Sequence, residues 1–196
     1  MTIHLNKIFS IALSASFLCG QIATAQSSSS SIVTSSWKTF NRNNYSIKYP
    51  ADWDLQQSDD LKSGTPVNPT VRYQFAVLSQ RESPQDQFRE NVNLVIEDLN
   101  GKKLDLDQYA QVATSQLKAL MKNCKILENK KISKGYRQHY KTIWTWEYQT
   151  IPLKVEQYTW LLDGKAYILT FTSEQSKFAQ SQQTGKKILD TFTLKK

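Results

Sequence analysis

The sequence predicts an α+β fold in which an antiparallel β-sheet is sandwiched between helices, in three layers (α/β/α). Two observations support this prediction. Runs of β-branched and aromatic residues follow one another along the chain, joined by polar connections with turn residues, which is the pattern of hairpins. Two stretches with helical periodicity interrupt these runs. Because a sheet of hairpins needs its apolar face covered, the helices are expected to pack on it.

The first 25 residues have the parts of a secretory signal peptide. A basic start precedes an apolar run over residues 8–18, and Ala23 and Ala25 form an A-x-A cleavage site. The run is shorter than the about 20 residues that a membrane anchor needs. Leu18, which is not small, precedes Cys19, and this argues against lipid attachment. We therefore expect an exported, unlipidated protein, located in the periplasm, or in the thylakoid lumen of a cyanobacterial source.

Residues 26–36 form a Ser-rich stretch without apolar periodicity, which predicts a flexible linker. Residues 37–196 then have the size of one domain and need neither disulfides nor a metal to fold. Cys124 is the single cysteine left after the signal peptide is removed, so no intramolecular disulfide can form. We expect Cys124 to be buried as a small apolar residue.

The first half of the domain predicts strands. The alternating stretch 45–49 is stopped by Pro50, and we expect residues 53–56 to continue along the same sheet edge after a bend. Residues 70–80 and 91–98 are rich in β-branched and aromatic residues and flank a polar connection. They are predicted to form two paired antiparallel strands.

Asp105 and Gln108 have the spacing of a capping box and mark the start of the first helix. The apolar residues that follow fall within an arc of about 120° at 100° per residue, the width of one core-facing stripe. We expect all of them in the core. They are Leu106, Tyr109, Ala110, Ala113, Leu117, Leu120 and Met121.

The second half of the domain predicts more strands and a last helix. Residues 125–133 form a short strand, and a turn leads into a longer one whose aromatic residues share one face. Its opposite face is polar and carries His139, for which we expect a solvated position. Asp163 and Gly164 mark a hairpin, and Ser173 is expected to cap the last helix. The aromatic residues are Tyr136, Tyr140, Trp144, Trp146 and Tyr148.

Several stretches resemble, in order, segments of the PsbP, Mog1 and DcrB-like group. They are Tyr45–Trp53, Arg89–Glu97, Gln157-Tyr158 with Asp163–Phe171, and Ile188–Leu194. The resemblance runs from about Phe40 to the end and rests on the order and spacing of strand patterns. It implies an antiparallel sheet between helical layers and no shared catalytic residues.

Known members of the group include an extrinsic subunit of photosystem II, a nuclear transport factor that binds a small GTPase, and bacterial envelope proteins. The resemblance therefore implies a binding, assembly or accessory role. An extrinsic photosystem II subunit is the alternative if the source is photosynthetic. The chain lacks the lipid-attachment cysteine expected of the cyanobacterial form.

The mature chain lacks the parts of most catalytic sites. His139 is its single histidine, which excludes catalytic triads and histidine metal clusters. A dyad of Cys124 and His139 is the enzymatic alternative. No nucleotide-binding motif is present, and the paired carboxylates match no calcium loop, although weak calcium binding by separate loops stays open. We expect a non-enzymatic protein without a cofactor.

Positive charge is concentrated in one segment of the mature chain. The stretch from Lys118 to Lys141 holds eight basic residues and one acidic residue, and the rest of the mature chain is neutral. One interpretation is a solvated face that favours a helix end and protects a sheet edge. The other is a binding site for an envelope protein or an anionic membrane surface, since export argues against nucleic acid. The basic residues are Lys118, Lys122, Lys125, Lys130, Lys131, Lys134, Arg137 and Lys141.

Overall fold

The computed structural model describes residues 36–58, 70–134 and 137–195. These residues form ten strands and two helices. The elements are β1 (Trp37–Asn41), β2 (Tyr45–Pro50), β3 (Asp54–Gln57), β4 (Val71–Leu78), β5 (Asn91–Asp98), α1 (Leu106–Leu120), β6 (Lys125–Lys134), β7 (Arg137–Tyr148), β8 (Ile151–Leu162), β9 (Lys165–Glu174), α2 (Phe178–Asp190) and β10 (Thr193–Leu194).

Seven strands form one antiparallel sheet in the order β3-β4-β5-β9-β8-β7-β6. Strands β6 to β9 follow one another as hairpins, whereas β5 pairs with β9 although α1 and strands β6 to β8 lie between them in the chain. At the β8–β9 turn, Asp163 and Gly164 have φ values of 50° and 71°, the left-handed backbone that a tight hairpin turn requires. The antiparallel sheet and this hairpin confirm the prediction.

A second sheet has the order β1-β2-β10. The prediction that residues 53–56 continue the edge of the preceding strand is wrong, because β2 belongs to this small sheet and β3 to the edge of the large one. The reason is burial: Tyr45, Ile47 and Tyr49 alternate along β2 and all point into the main core. A strand with such an apolar face packs on a sheet face, and residues 51–53 therefore turn the chain toward the sheet edge.

Helix α2 contacts β9, β5, β8 and β2 over the largest apolar cluster. Its Gly185 lies directly on the ring of Phe171, since a Cβ there would be 2.5 Å from ring atoms. The predicted cap at Ser173 is wrong. Ser173 is a fully buried residue of β9, which runs on to Glu174, and the N-cap is Lys177 without a side-chain hydrogen bond.

Helix α1 begins at the predicted capping box, in which Gln108 N–H donates to Asp105 Oδ1 over 2.8 Å and Asp105 N–H donates to Gln108 Oε1 over 3.0 Å. Tyr109 and Leu117 are buried as expected, but Leu120 is 64% exposed, so its assignment to the core is wrong. The chain leaves the helix at the next residue, and Met121 packs against the core in its place.

The two helices bury different residues of the sheet. Along β9, Ala166 and Ile168 pack in the cluster that contains Tyr109 of α1, while Leu169 and Phe171 belong to the cluster under α2. Consecutive strand residues point to opposite sides of a sheet. Helix α1 contacts β6, β7 and β8. The basic segment runs from the end of α1 through β6 into β7, and it therefore lies at this end of the sheet.

Candidate functional site

The basic segment folds into the end of α1, strand β6 at the edge of the large sheet, and the first part of β7. The register places its strand residues on two faces, because directly paired residues share a face. Lys131 pairs with Tyr140, whereas Lys130 pairs with Lys141 on the opposite face. Lys134 pairs with Arg137 through the backbone, and its side chain lies outside the described part of the protein. The structure therefore brings the predicted residues to one edge of the sheet but not to one face.

Four carboxylates contact this set of basic residues. The pair with Glu156 is buried on the carboxylate side, where the exposed fraction is zero, and its Nζ–Oε1 distance is 3.5 Å. The others involve exposed or half-buried side chains and contribute at most about 1 kcal/mol each. The pairs are Lys122–Glu147, Lys130–Glu128, Lys131–Asp107, Lys141–Glu128 and Lys141–Glu156.

The junction of α1 and β6 combines free positive charge with exposed apolar surface. Lys118 and Lys125 are exposed and form no ion pair within the ranges that the structure describes. Leu120 and Leu127 are 64% and 56% exposed and are the large apolar side chains that stand out to solvent among the described residues. We name this surface the α1–β6 corner and define it as Lys118, Leu120, Lys122, Lys125 and Leu127.

Backbone geometry explains the exposure of Leu127. The pairing of β6 with β7 shifts between Ile126 and Glu128, which face the adjacent residues Trp144 and Ile143. Leu127 is the extra residue of this β-bulge and has no partner in β7. A bulge leaves no signal in the strand pattern, so sequence reasoning identified the basic residues of the corner but missed this apolar one.

The corner is held in place by main-chain hydrogen bonds. Met121 N–H donates to Leu117 O over 3.0 Å and ends the helix, and Cys124 N–H donates to Met121 O over 3.3 Å in the turn. Glu147 N–H donates to Lys122 O over 3.0 Å and ties the turn to the end of β7. The spacing of the corner residues therefore follows from the fold.

Cys124 and His139 belong to different clusters. Cys124 is half-buried against the apolar residues under the end of α1, and burial raises the pKa of its thiol. His139 is buried, with its ring centroid 4.7 Å from that of Tyr158 and 5.2 Å from that of Trp160. The prediction of a solvated His139 is therefore wrong, because the ring packs on aromatic side chains of β8.

A buried carboxyl group lies beneath α1 and was not anticipated from the sequence. Glu97 of β5 is 2% exposed, and its Oε2 accepts a 2.8 Å hydrogen bond from the hydroxyl of Tyr109. Burial raises the pKa of Glu97 to about 7, against smaller lowering effects of Tyr109 and Lys102. This pair joins the helix to the sheet inside an apolar cluster.

Two further buried carboxylates accept hydrogen bonds from side chains of α2 or of its N-cap residue. Asp86, in the β4–β5 connection, accepts a 2.8 Å hydrogen bond from Lys177 Nζ, and Glu156 accepts a 3.3 Å bond from Gln182 Nε2. Burial is the largest single effect and opposes ionisation of Asp86, but the hydrogen bonds from Lys177 and from the backbone N–H groups of Glu82 and Phe88, together with the charge of Lys177, outweigh it and lower the pKa. These acids have partners within the protein and anchor α2 rather than form an open site.

The described residues contain no group of three or more His, Cys, Asp and Glu side chains placed to hold a metal ion. The expectations of no cofactor and of weak calcium binding by separate loops stay predictions. Ala23 and Ala25 of the predicted cleavage site lie outside the described residues. Among the residues that are described, no helix has the length and apolar character to cross a membrane.

Solved structures with the same fold come from several bacteria. The cyanobacterial PsbP protein (CyanoP) of Synechocystis is 10% identical, with a TM-score of 0.57 over 86% of this chain and 98% of that one. A protein of unknown function from Pseudomonas aeruginosa is 12% identical, with a TM-score of 0.54 over 82% and 98% of the chains. LpqN of Mycobacterium tuberculosis, involved in cell envelope biogenesis, is 13% identical, with a TM-score of 0.54 over 84% and 87%.

No family model matches the chain, and no curated protein matches it in sequence. At identities this low, the similarity to solved structures shows the fold alone. The PsbP-like fold that the sequence resemblance implied is therefore supported, and function has to be argued from the surface of this chain.

Proposed function

We propose that this chain is an exported, non-enzymatic envelope protein that acts as a binding or accessory module and recognises an anionic partner through its basic segment. Its PsbP-like fold is proposed to be the layered α/β/α form of the PsbP, Mog1 and DcrB-like group. The signal-like start of the sequence and the involvement of LpqN in cell envelope biogenesis support the cellular location.

One observation carries the proposal: the eight basic residues belong to the end of α1, the edge strand β6 and the start of β7, and four carboxylates contact four of them among the described side chains. Most of these carboxylate contacts are exposed surface pairs that an anionic partner can displace at little cost. Lys118 and Lys125 are free of such contacts among the described residues. A surface of this kind attracts acidic groups over a distance set by ionic strength.

The non-enzymatic part of the proposal is supported by the separation of Cys124 from His139. The thiol sits in the cluster under α1 with a raised pKa, whereas the imidazole is packed on aromatic rings of another cluster. A cysteine nucleophile needs a lowered pKa and a base within hydrogen-bond reach. The buried carboxyl groups of Glu97 and Asp86 are engaged in hydrogen bonds with Tyr109 of α1 and with Lys177 at the start of α2.

The test is retention of the purified exported protein by envelope fractions of its own host over a salt titration. The variant is Lys118→Gln combined with Lys125→Gln, and the matched control is Lys103→Gln combined with Lys165→Gln, which removes equal charge elsewhere on the surface. We expect retention to fall with salt and to weaken in the first variant alone. Retention that does not change with salt concentration, or an equal loss of retention in the variant and in the control, would refute the proposal.

The fold shared with CyanoP is the observation that favours a second candidate, an extrinsic subunit of photosystem II. This candidate requires a photosynthetic source and retention on thylakoid membranes that contain the photosystem. Loss of the photosystem from those membranes should then abolish retention.

A further inference from the structure

We infer that the partner of the α1–β6 corner is an anionic lipid bilayer, into which Leu120 and Leu127 insert while Lys118 and Lys125 contact the headgroups. This inference rests on the proposed function and names its partner. It is carried by the exposed leucines and by the residue types of the charged surface around them.

Single exposed apolar residues are normal on protein surfaces. Leu120 and Leu127 differ because they lie on either side of one turn, with Lys122 and Lys125 between them in the chain and Lys118 just before them. Apolar side chains set among lysines are the combination that binds the interface of an anionic membrane, where insertion and charge attraction act together. The lysine stems can also cover apolar surface while their ammonium groups reach phosphates.

The residue types favour a bilayer over a protein partner. Seven of the eight basic residues are lysine, and the corner itself holds only lysine and leucine. Protein interfaces are depleted in lysine, and their energetic centres are enriched in tryptophan, tyrosine and arginine, with leucine under-represented. The tryptophans closest in the fold, Trp144 and Trp146, are buried beneath α1. A lipid surface needs no such anchors, because lysines near it act additively through charge.

The acidic residues near the α1–β6 corner do not oppose an arrangement in which the corner faces an anionic bilayer. Glu147 is held by Lys122 and by a 3.0 Å hydrogen bond from Asn123 Nδ2, and Glu128 is held by Lys130 at 2.9 Å. Lys118 precedes the turn and Lys125 follows it in the chain, and both are exposed without an acidic partner in the described part of the chain. The corner can therefore face headgroups without bringing an uncompensated carboxylate against them.

The test is sedimentation of the purified exported protein with lipid vesicles. One set contains phosphatidylcholine alone, and the other contains equal parts of phosphatidylcholine and phosphatidylglycerol. The charge variant is Lys118→Gln/Lys125→Gln, which leaves the Lys122–Glu147 pair intact, with Lys103→Gln/Lys165→Gln as a control of equal charge. The apolar variant is Leu120→Ser/Leu127→Ser, whose exposed positions should leave the fold intact, as circular dichroism and thermal unfolding will verify.

We expect binding to the anionic vesicles only, weakened about fivefold for each corner lysine removed. The apolar variant should also bind at least fivefold more weakly, and the control should bind normally. Unchanged binding of the apolar variant overturns insertion of the leucines. Absence of vesicle binding, with lysine-dependent retention by envelope fractions, identifies a protein partner and overturns this inference while the proposed function stands. Absence of lysine dependence in both assays overturns both.

Discussion

Replacement of Glu97 by glutamine should stabilise the protein increasingly as the pH rises. Glu97 is 2% exposed, and burial raises its pKa from the ordinary value of 4.5 to about 7. The folded state therefore holds a proton that the unfolded chain releases, so wild-type stability falls as pH rises through this window. Lys102 and Tyr109 favour the carboxylate and reduce the effect without reversing it.

The magnitude follows from the pKa difference. Each pKa unit corresponds to 1.36 kcal/mol, so the carboxylate costs about 3 kcal/mol of unfolding free energy above pH 7. The glutamine carbonyl can still accept the hydrogen bond that Tyr109 now donates over 2.8 Å. Its amide hydrogens need new partners, but that cost is independent of pH. The pH-dependent part of the difference between the two proteins therefore isolates the ionisation of Glu97.

Urea unfolding followed by tryptophan fluorescence should be measured for both proteins from about pH 4 to about pH 8. We expect the stability of the variant relative to wild type to rise by about 3 kcal/mol over this range. Glu147→Gln is the control. Hydrogen bonds from Lys122 and Asn123 lower the pKa of Glu147, so that variant should lose relative stability as pH rises. A Glu97→Gln difference that does not change with pH would refute burial of a neutral carboxyl.

Three shorter predictions concern the packing of α2 and the thiol. Gly185→Ala should lower the unfolding free energy by about 1 to 3 kcal/mol, because its Cβ would overlap the Phe171 ring; an unchanged urea midpoint would contradict this close packing. Lys177→Met should lower the unfolding free energy by about 3 kcal/mol, because it leaves the buried Asp86 carboxylate without its cation, and adding Asp86→Asn should recover part of that loss; if nothing is recovered, loss of the ion pair is not the cause of the destabilisation. Cys124 should react with iodoacetamide more slowly in the native than in the urea-unfolded protein; rapid native labelling, with loss of function in Cys124→Ser, would instead support the enzymatic alternative.

Local patterns were enough to predict the elements whose signals lie close together in the chain. The capping box at Asp105 and the turn at Asp163-Gly164 each depend on a few adjacent residues, and both are present. The antiparallel sheet followed from the chain of hairpins. By contrast, the alternation in β2 marks a buried face without saying which sheet buries it, and so its sheet was assigned wrongly.

The site depended more on tertiary context. Its charges could be counted from the sequence. Leu120, however, was wrongly assigned to the core, because helical periodicity does not show at which residue a helix stops packing against the sheet. Leu127 is exposed through a bulge that exists only in the pairing of β6 with β7. Glu97 and His139 are buried by elements distant in sequence, and a polar residue carries no local sign of such burial.

The lysines of the sheet edge have two explanations, and charge reversal separates them. Charged side chains on an edge strand prevent pairing with another sheet, and glutamate serves this purpose as well as lysine. Anionic binding depends on the sign of the charge. We therefore expect Lys125→Glu/Lys130→Glu to remain monodisperse in light scattering, while its retention by anionic vesicles and envelope fractions is lost. The reversed pair should fold normally, because Lys125 and Lys130 are exposed and the contact of Lys130 with Glu128 is a surface ion pair. Retention equal to wild type would leave edge protection as the sole role of these lysines.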